Sequence, residues 1–212
     1  MTIIESLKLA YGALKYRNNW LQALIAGLVY GLVYGLGIIP LVGAFLLAYL
    51  LPRVTVWFYR NIGFNVNPNY DVAFKALLIP SIIAHIGIIV LLVSSMRVLS
   101  LIYALGDYYG AIDLILKYGL VSTVLSFIAG VAYLLLLYTI YGSIVGKVNQ
   151  LKIEIGKSIQ MFILTIIVGI VATIIMFLLA LIPYVGWVLM IVFSLLLTSY
   201  VNLALGILAA KL

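Results

Sequence analysis

Cysteine is absent from this chain, which excludes disulfides, iron–sulfur clusters and thiolate metal sites at once. Histidine occurs once, at His85, so neither paired axial ligands for a membrane haem nor a zinc site built mainly of histidines can form. Only 5 acidic residues stand against 12 lysines and arginines. Charged residues make up 8% of the 212 positions, against ~25% in an ordinary soluble domain. Such a chain lacks the polar surface to cover a water-soluble fold. No Asn-x-Ser/Thr acceptor occurs. Glu5, Lys8, Lys15 and Arg17 are spread through the N-terminus with no compact apolar core before a cleavage site, so no cleavable signal peptide is expected.

What the chain has in quantity is apolar sequence, 67% of it. Four intervals carry no charge: 18–52, 76–96, 118–146 and 158–210. The first and last are each broken by the same phrase, Ile39-Pro40-Leu41-Val42-Gly43 and Ile182-Pro183-Tyr184-Val185-Gly186. A Pro/Gly break inside a charge-free run reads as a tight turn between two membrane-crossing helices. Spans are then expected near 20–38, 41–60, 75–96, 118–141, 158–181 and 185–208. Each has about the 20 residues that cover ~30 Å of hydrocarbon at ~1.5 Å per residue. The expected fold is an all-α integral membrane protein with six transmembrane helices in a single domain over 1–212. Within it, 1–18 forms an interfacial helix, 19–60 a first hairpin, 71–146 a central helix pair and 147–212 a second hairpin.

Charge placement orients these spans. Ten of the 12 lysines and arginines fall on the side that carries the N-terminus, and only Arg97 and Lys117 on the other. That bias predicts a multi-pass protein of the cell membrane with both termini cytoplasmic. The excess of positive charge belongs to the membrane surface and not to nucleic acid. Ile3, Leu7, Tyr11 and Leu14 recur every three or four residues while Glu5, Lys8 and Lys15 lie elsewhere, the pattern of an amphipathic helix in the inner interface. Residues 98–117 read as a second interfacial helix on the outer side, with Tyr103, Tyr108, Tyr109 and Tyr118 at headgroup level. Four acids precede a lysine by three or four residues, in Glu5/Lys8, Asp71/Lys75, Asp113/Lys117 and Glu154/Lys157, as expected near helix N-termini.

Setting Pro40 against Pro183 also aligns Ile39 with Ile182, Val42 with Val185, Gly43 with Gly186, Leu46 with Leu189 and Thr55 with Thr198. The spans involved run in the same direction, so a duplication would be a parallel repeat. The start with Trp20, the Ile39–Gly43 turn, a second helix ending in Arg60 and the polar Asn67-Pro68-Asn69-Tyr70-Asp71 approach to the third span resemble the prokaryotic membrane family called domain of unknown function 4013. The closing segment, Ile182 through Gly206, is similar to that family's last two spans. The resemblance implies a polytopic fold and carries over no activity and no catalytic residue.

Candidate sites are few. Ala23, Gly27, Gly31 and Gly35 form a small-residue ridge on the first span, and Ser122, Ser126 and Gly130 a shorter one on the fourth. Such ridges let helix backbones approach closely in lipid, so these two spans are expected to pack together, with a subunit interface as the alternative. Arg53 follows Pro52 only twelve residues after the first turn, and so starts within the hydrocarbon. It either snorkels toward the inner headgroups or contacts an anion or lipid headgroup in a cavity. His85 lies mid-span, and Tyr30, Tyr34, Tyr133 or Tyr138 could supply a hydroxyl partner. Asn202 reads as helix–helix glue.

No span holds Asp, Glu or Cys, so the nucleophile–base pairs and metal ligands of an intramembrane enzyme are missing and no cofactor is expected. The reading favoured is a non-enzymatic subunit or scaffold of a membrane assembly, in contact with lipids and with other subunits or with itself. The competing reading is a small transporter, channel or lipid-moving protein for an anionic or neutral ligand, using Arg53 and His85.

Overall fold

The computed structural model describes residues 2–16, 19–40 and 42–212, so Arg17 and Leu41 of the sequence patterns lie outside the described residues. Among the described residues seven α-helices follow one another: α1 Ile3–Lys15, α2 Trp20–Leu36, α3 Val42–Asn61, α4 Tyr70–Ser100, α5 Tyr108–Ile144, α6 Ile155–Ala180 and α7 Val185–Lys211. Five of them are long and apolar enough to cross a membrane, or six if the bent pair α1–α2 counts as one span.

Helix α1 begins with a reciprocal cap. The Thr2 hydroxyl accepts from the Glu5 amide, and the Glu5 carboxylate accepts from the Thr2 amide at 2.8 Å. Its Ser6, Ala10 and Leu14 face is buried against α7, and the helix stands at 109° to α2. Both Pro/Gly turns close with the same hydrogen bonds, residue for residue. Ile38 N–H donates to Gly35 O and Gly43 N–H to Ile39 O in the first, Leu181 N–H to Leu178 O and Gly186 N–H to Ile182 O in the second. Each turn glycine is required by contact. A Cβ on Gly43 would lie 2.5 Å from Gly37 O, and one on Gly186 would lie 2.2 Å from Leu179 O.

The outer interfacial helix expected over 98–117 is not formed. Helix α4 instead runs on through a π-helical turn at Leu101–Leu105, reverses at Gly106–Asp107 and returns as α5. Arg97 and Lys117 are good helix formers and do not stop a helix. The first true stop is Gly106, which takes φ 65°, and Asp107 then caps α5 by accepting from Gly110 N–H at 2.9 Å. The 31 and 37 residues of α4 and α5 make an arm ~46 and ~55 Å long. His85 touches Gly37 at the α2–α3 turn, so the twenty residues after it, up to Leu105, carry the arm ~30 Å of helix past that turn.

The core lies toward the opposite end, where α3, α5 and α7 finish. Phe58, Tyr59, Leu137, Ile140, Ile144, Leu203, Leu205 and Leu208 are fully or almost fully buried there. Asn69 N–H donates to Ser143 O at 2.8 Å, tying the start of α4 to the end of α5. Of the four acid–lysine pairs, Asp71–Lys75 (2.7 Å) and Glu154–Lys157 (2.8 Å) form. Glu5 serves the α1 cap instead, and Asp113 makes no ion pair with Lys117 among the described residues.

The two small-residue ridges do not meet. Helix α2 packs on α7 and α3, and α5 on α4, α6 and α7. Ala23 is fully buried and its carbonyl accepts from Ser199 Oγ at 2.6 Å, while a Cβ on Gly27 would come within 2.3 Å of Leu195 O. One or two turns on, Gly31 and Gly35 have nothing within 4 Å of an added Cβ. On α5, Ser122 Oγ donates to Gly87 O at 3.1 Å, Ser126 lines an open cleft, and Gly130 faces open space. The correction has a simple cause: α2 crosses α7 near its first two turns and diverges, so only one end of the ridge finds a backbone.

Candidate functional site

Arg53 sits on α3 after Pro52, with side chains in a helix directed back toward its N-terminus. Its guanidinium follows that direction. Nη1 donates to Tyr49 O at 2.7 Å, and the group lies 3.5 Å from the Tyr49 ring centroid and 4.9 Å from that of Tyr70. The guanidinium thus lies between Tyr49 on its own helix and Tyr70 at the start of α4. Stacking on two tyrosines replaces part of the hydration it gives up. Tyr49, Tyr70, Asp71 and Phe74 complete a cleft of about 310 Å³ beside it. A cation, a carboxylate and three aromatic rings around one opening can hold a zwitterionic or anionic headgroup.

His85 is elsewhere. It is 5% exposed, with Nδ1 at 2.7 Å from Ser81 O and Nε2 at 2.7 Å from Gly37 O. Both partners are acceptors, so a neutral ring makes one of these hydrogen bonds and an imidazolium makes both. The Gly37 carbonyl belongs to the C-terminal end of α2, where helical carbonyls lack intrahelical donors. His85 therefore serves as a cap supplied by a neighbouring helix, sealing the polar end of α2 in apolar surroundings. Neither of the two clefts lined by Arg53 includes His85.

None of the four tyrosines offered as partners for His85 bonds to it. A different polar cluster forms around Asn202. Tyr141 donates to Asn202 Oδ1 at 2.6 Å, Tyr59 to Asn202 O, and Asn202 Nδ2 to Thr198 O at 2.8 Å. Tyr30 donates to Thr55 Oγ1 at 3.1 Å. Three helices, α3, α5 and α7, are joined through this one residue. Tyr138 instead accepts from Lys157 Nζ at 3.2 Å. The glue reading of Asn202 is what the contacts describe, and the sequence signal for the rest was the recurrence of tyrosine inside charge-free intervals.

Tyr34 and Tyr133 also line a cleft of about 370 Å³ with Ser81, Ser126 and Gly130, between α2, α3, α4 and α5. Its hydroxyls can donate and accept but offer no base or nucleophile pair. No group of three or more metal-ligating side chains is present among the described residues. Comparison with family models, curated proteins and solved structures finds no match to this chain.

Proposed function

We propose that this is a non-enzymatic membrane component, a subunit or scaffold of a larger assembly, whose docking element is the α4–α5 arm. The observation that carries this reading is the solitude of the arm. Ser94 is the only buried residue of α4 past Gly87, and Ala111 and Ser122 are the only ones of α5 before Ala129. The outward side chains are large and apolar or aromatic: Met96 is 74% exposed, Tyr103 83% and Tyr109 89%. Where such a surface rises above the bilayer it calls for a protein cover, and within lipid it offers a long two-helix face for packing.

The same reading has six crossings, α1 in the interface and two Pro/Gly hairpins related as a parallel repeat, which the matching turn hydrogen bonds support. It places both termini on the cytoplasmic side of the cell membrane, supported by ten of 12 cations on that side. Photo-crosslinkers at Leu92, Tyr109 and Phe127 in native membranes test the assembly. Adducts to another subunit or to a second copy are expected, with a matching mass by native mass spectrometry. Adducts to lipid alone from all three positions, with a monomer mass, would refute the reading.

A second reading, contact with and movement of a lipid or other anionic ligand, is favoured by the Arg53 cleft. Its separation from His85 argues against one pathway through both residues. Reconstituted vesicles carrying Arg53→Ala should lose lipid or anion flux on this reading, and unchanged flux would dispose of it.

A further inference from the structure

A cleft of about 510 Å³, within the ~300–1,000 Å³ of ligand sites, opens under the elbow between α1 and α2. Its floor is α6 from Ile167 to Ile175 and its wall α7 from Phe193 to Tyr200, with Leu7, Tyr11 and Trp20 at one end. Apart from the hydroxyls of Tyr11 and Tyr200 and the indole N–H of Trp20, every lining side chain is hydrocarbon. The Tyr200 hydroxyl is already used, donating to Leu7 O at 3.0 Å and fixing α1 over the groove. Small Ala172, where α6 offers no bulk, keeps the groove open.

An apolar groove in a bilayer does not fill with water, and left empty its walls lose dispersion contacts. A lipid chain is the occupant that fits. The end marked by Tyr11 and Trp20, whose rings meet edge to face at 5.9 Å, has the aromatic chemistry of a headgroup level. Charge there has one sign. Lys8 and Lys15 stand three residues before and four after Tyr11, on the flank of the helix that borders the apolar face, and both are exposed. The nearest acid, Glu5, is turned to the Thr2 amide. We propose that this groove binds an acyl chain of an anionic phospholipid, whose phosphate is held by Lys8 and Lys15 at the groove mouth. The site is separate from the Arg53 cleft and independent of any assembly through the arm.

The chain has 3 tryptophans, so the Trp57→Phe/Trp187→Phe variant leaves Trp20 as a reporter inside the groove. The probe is that protein in phosphatidylcholine nanodiscs containing increasing phosphatidylglycerol with brominated chains, which quench tryptophan on contact. Trp20 quenching should saturate at low phosphatidylglycerol content, with roughly thirtyfold enrichment over bulk, the size expected of two lysines at a membrane surface. Brominated phosphatidylcholine should quench only in proportion to its content. Lys8→Gln/Lys15→Gln, at exposed positions, should abolish the preference, and Ala172→Phe should cut quenching by filling the groove. Quenching that follows bulk content equally for both headgroups overturns the proposal. So does a preference that survives the lysine changes, or quenching indifferent to Ala172→Phe in a protein of unchanged helicity.

Discussion

Gly27 and Gly31 are one turn apart on the same face of α2, and the structure gives them opposite fates under the same substitution. A Cβ at Gly27 would stand 2.3 Å from Leu195 O, 2.7 Å from its carbonyl carbon and 2.9 Å from its Cα. All three are backbone atoms of α7, so no side-chain rotation relieves the clash and the two helices must separate by about an ångström. Overpacking of this kind costs ~1–3 kcal/mol. It also weakens the neighbouring Ser199 to Ala23 O bond of 2.6 Å. Against this, alanine gains up to ~1 kcal/mol of helix propensity over glycine. Gly27→Ala should therefore destabilise by ~1–2 kcal/mol net. At Gly31 nothing lies within 4 Å, so only the propensity gain remains and Gly31→Ala should stabilise by a few tenths to ~1 kcal/mol. The assay is unfolding of both variants in mixed micelles of rising dodecyl sulfate content, followed by circular dichroism. The two midpoints should move in opposite directions. Equal shifts, or a stable Gly27→Ala protein, would mean that the α2 and α7 backbones do not touch.

Three further outcomes are expected. His85→Leu, which keeps most of the volume, should lower stability by ~1–3 kcal/mol by leaving the buried Gly37 carbonyl without a donor, and His85→Gln should recover part of it in the same unfolding assay. Asn202→Leu should cost ~2–4 kcal/mol, because Tyr141 and the Thr198 carbonyl both lose a partner, whereas Tyr141→Phe should cost less than half as much. Hydrogen bonding from Lys157 holds the Glu154 carboxyl below its ordinary value, so that pair stabilises fully above the ordinary carboxylate range and its contribution is lost as pH falls through the lowered value. The melting temperature of Glu154→Gln should lie below that of the parent protein at pH 7 and converge with it under acid conditions.

Sequence alone determined the membrane class, the two Pro/Gly turns and the amphipathic lead-in. Those follow from composition and from local chemistry, which hydrocarbon makes severe: a charge-free interval has few alternatives to a helix, and Pro40-x-x-Gly43 and Pro183-x-x-Gly186 close the same turn wherever they occur. The 98–117 segment failed the same logic because its charges were read as a boundary, although nothing before Gly106 stops a helix. Tertiary structure decided which faces meet. A ridge of small residues says that a helix can be approached, not by what, and only the crossing of α2 with α7 determines that Gly27 is used and Gly31 is left open. Likewise, a tyrosine in a charge-free run must find an acceptor, but sequence does not say which of several helices supplies it. His85 caps the end of α2, and Asn202 gathers tyrosines from two other helices, because those contacts depend on helix tilt and register across 48 to 143 residues of chain.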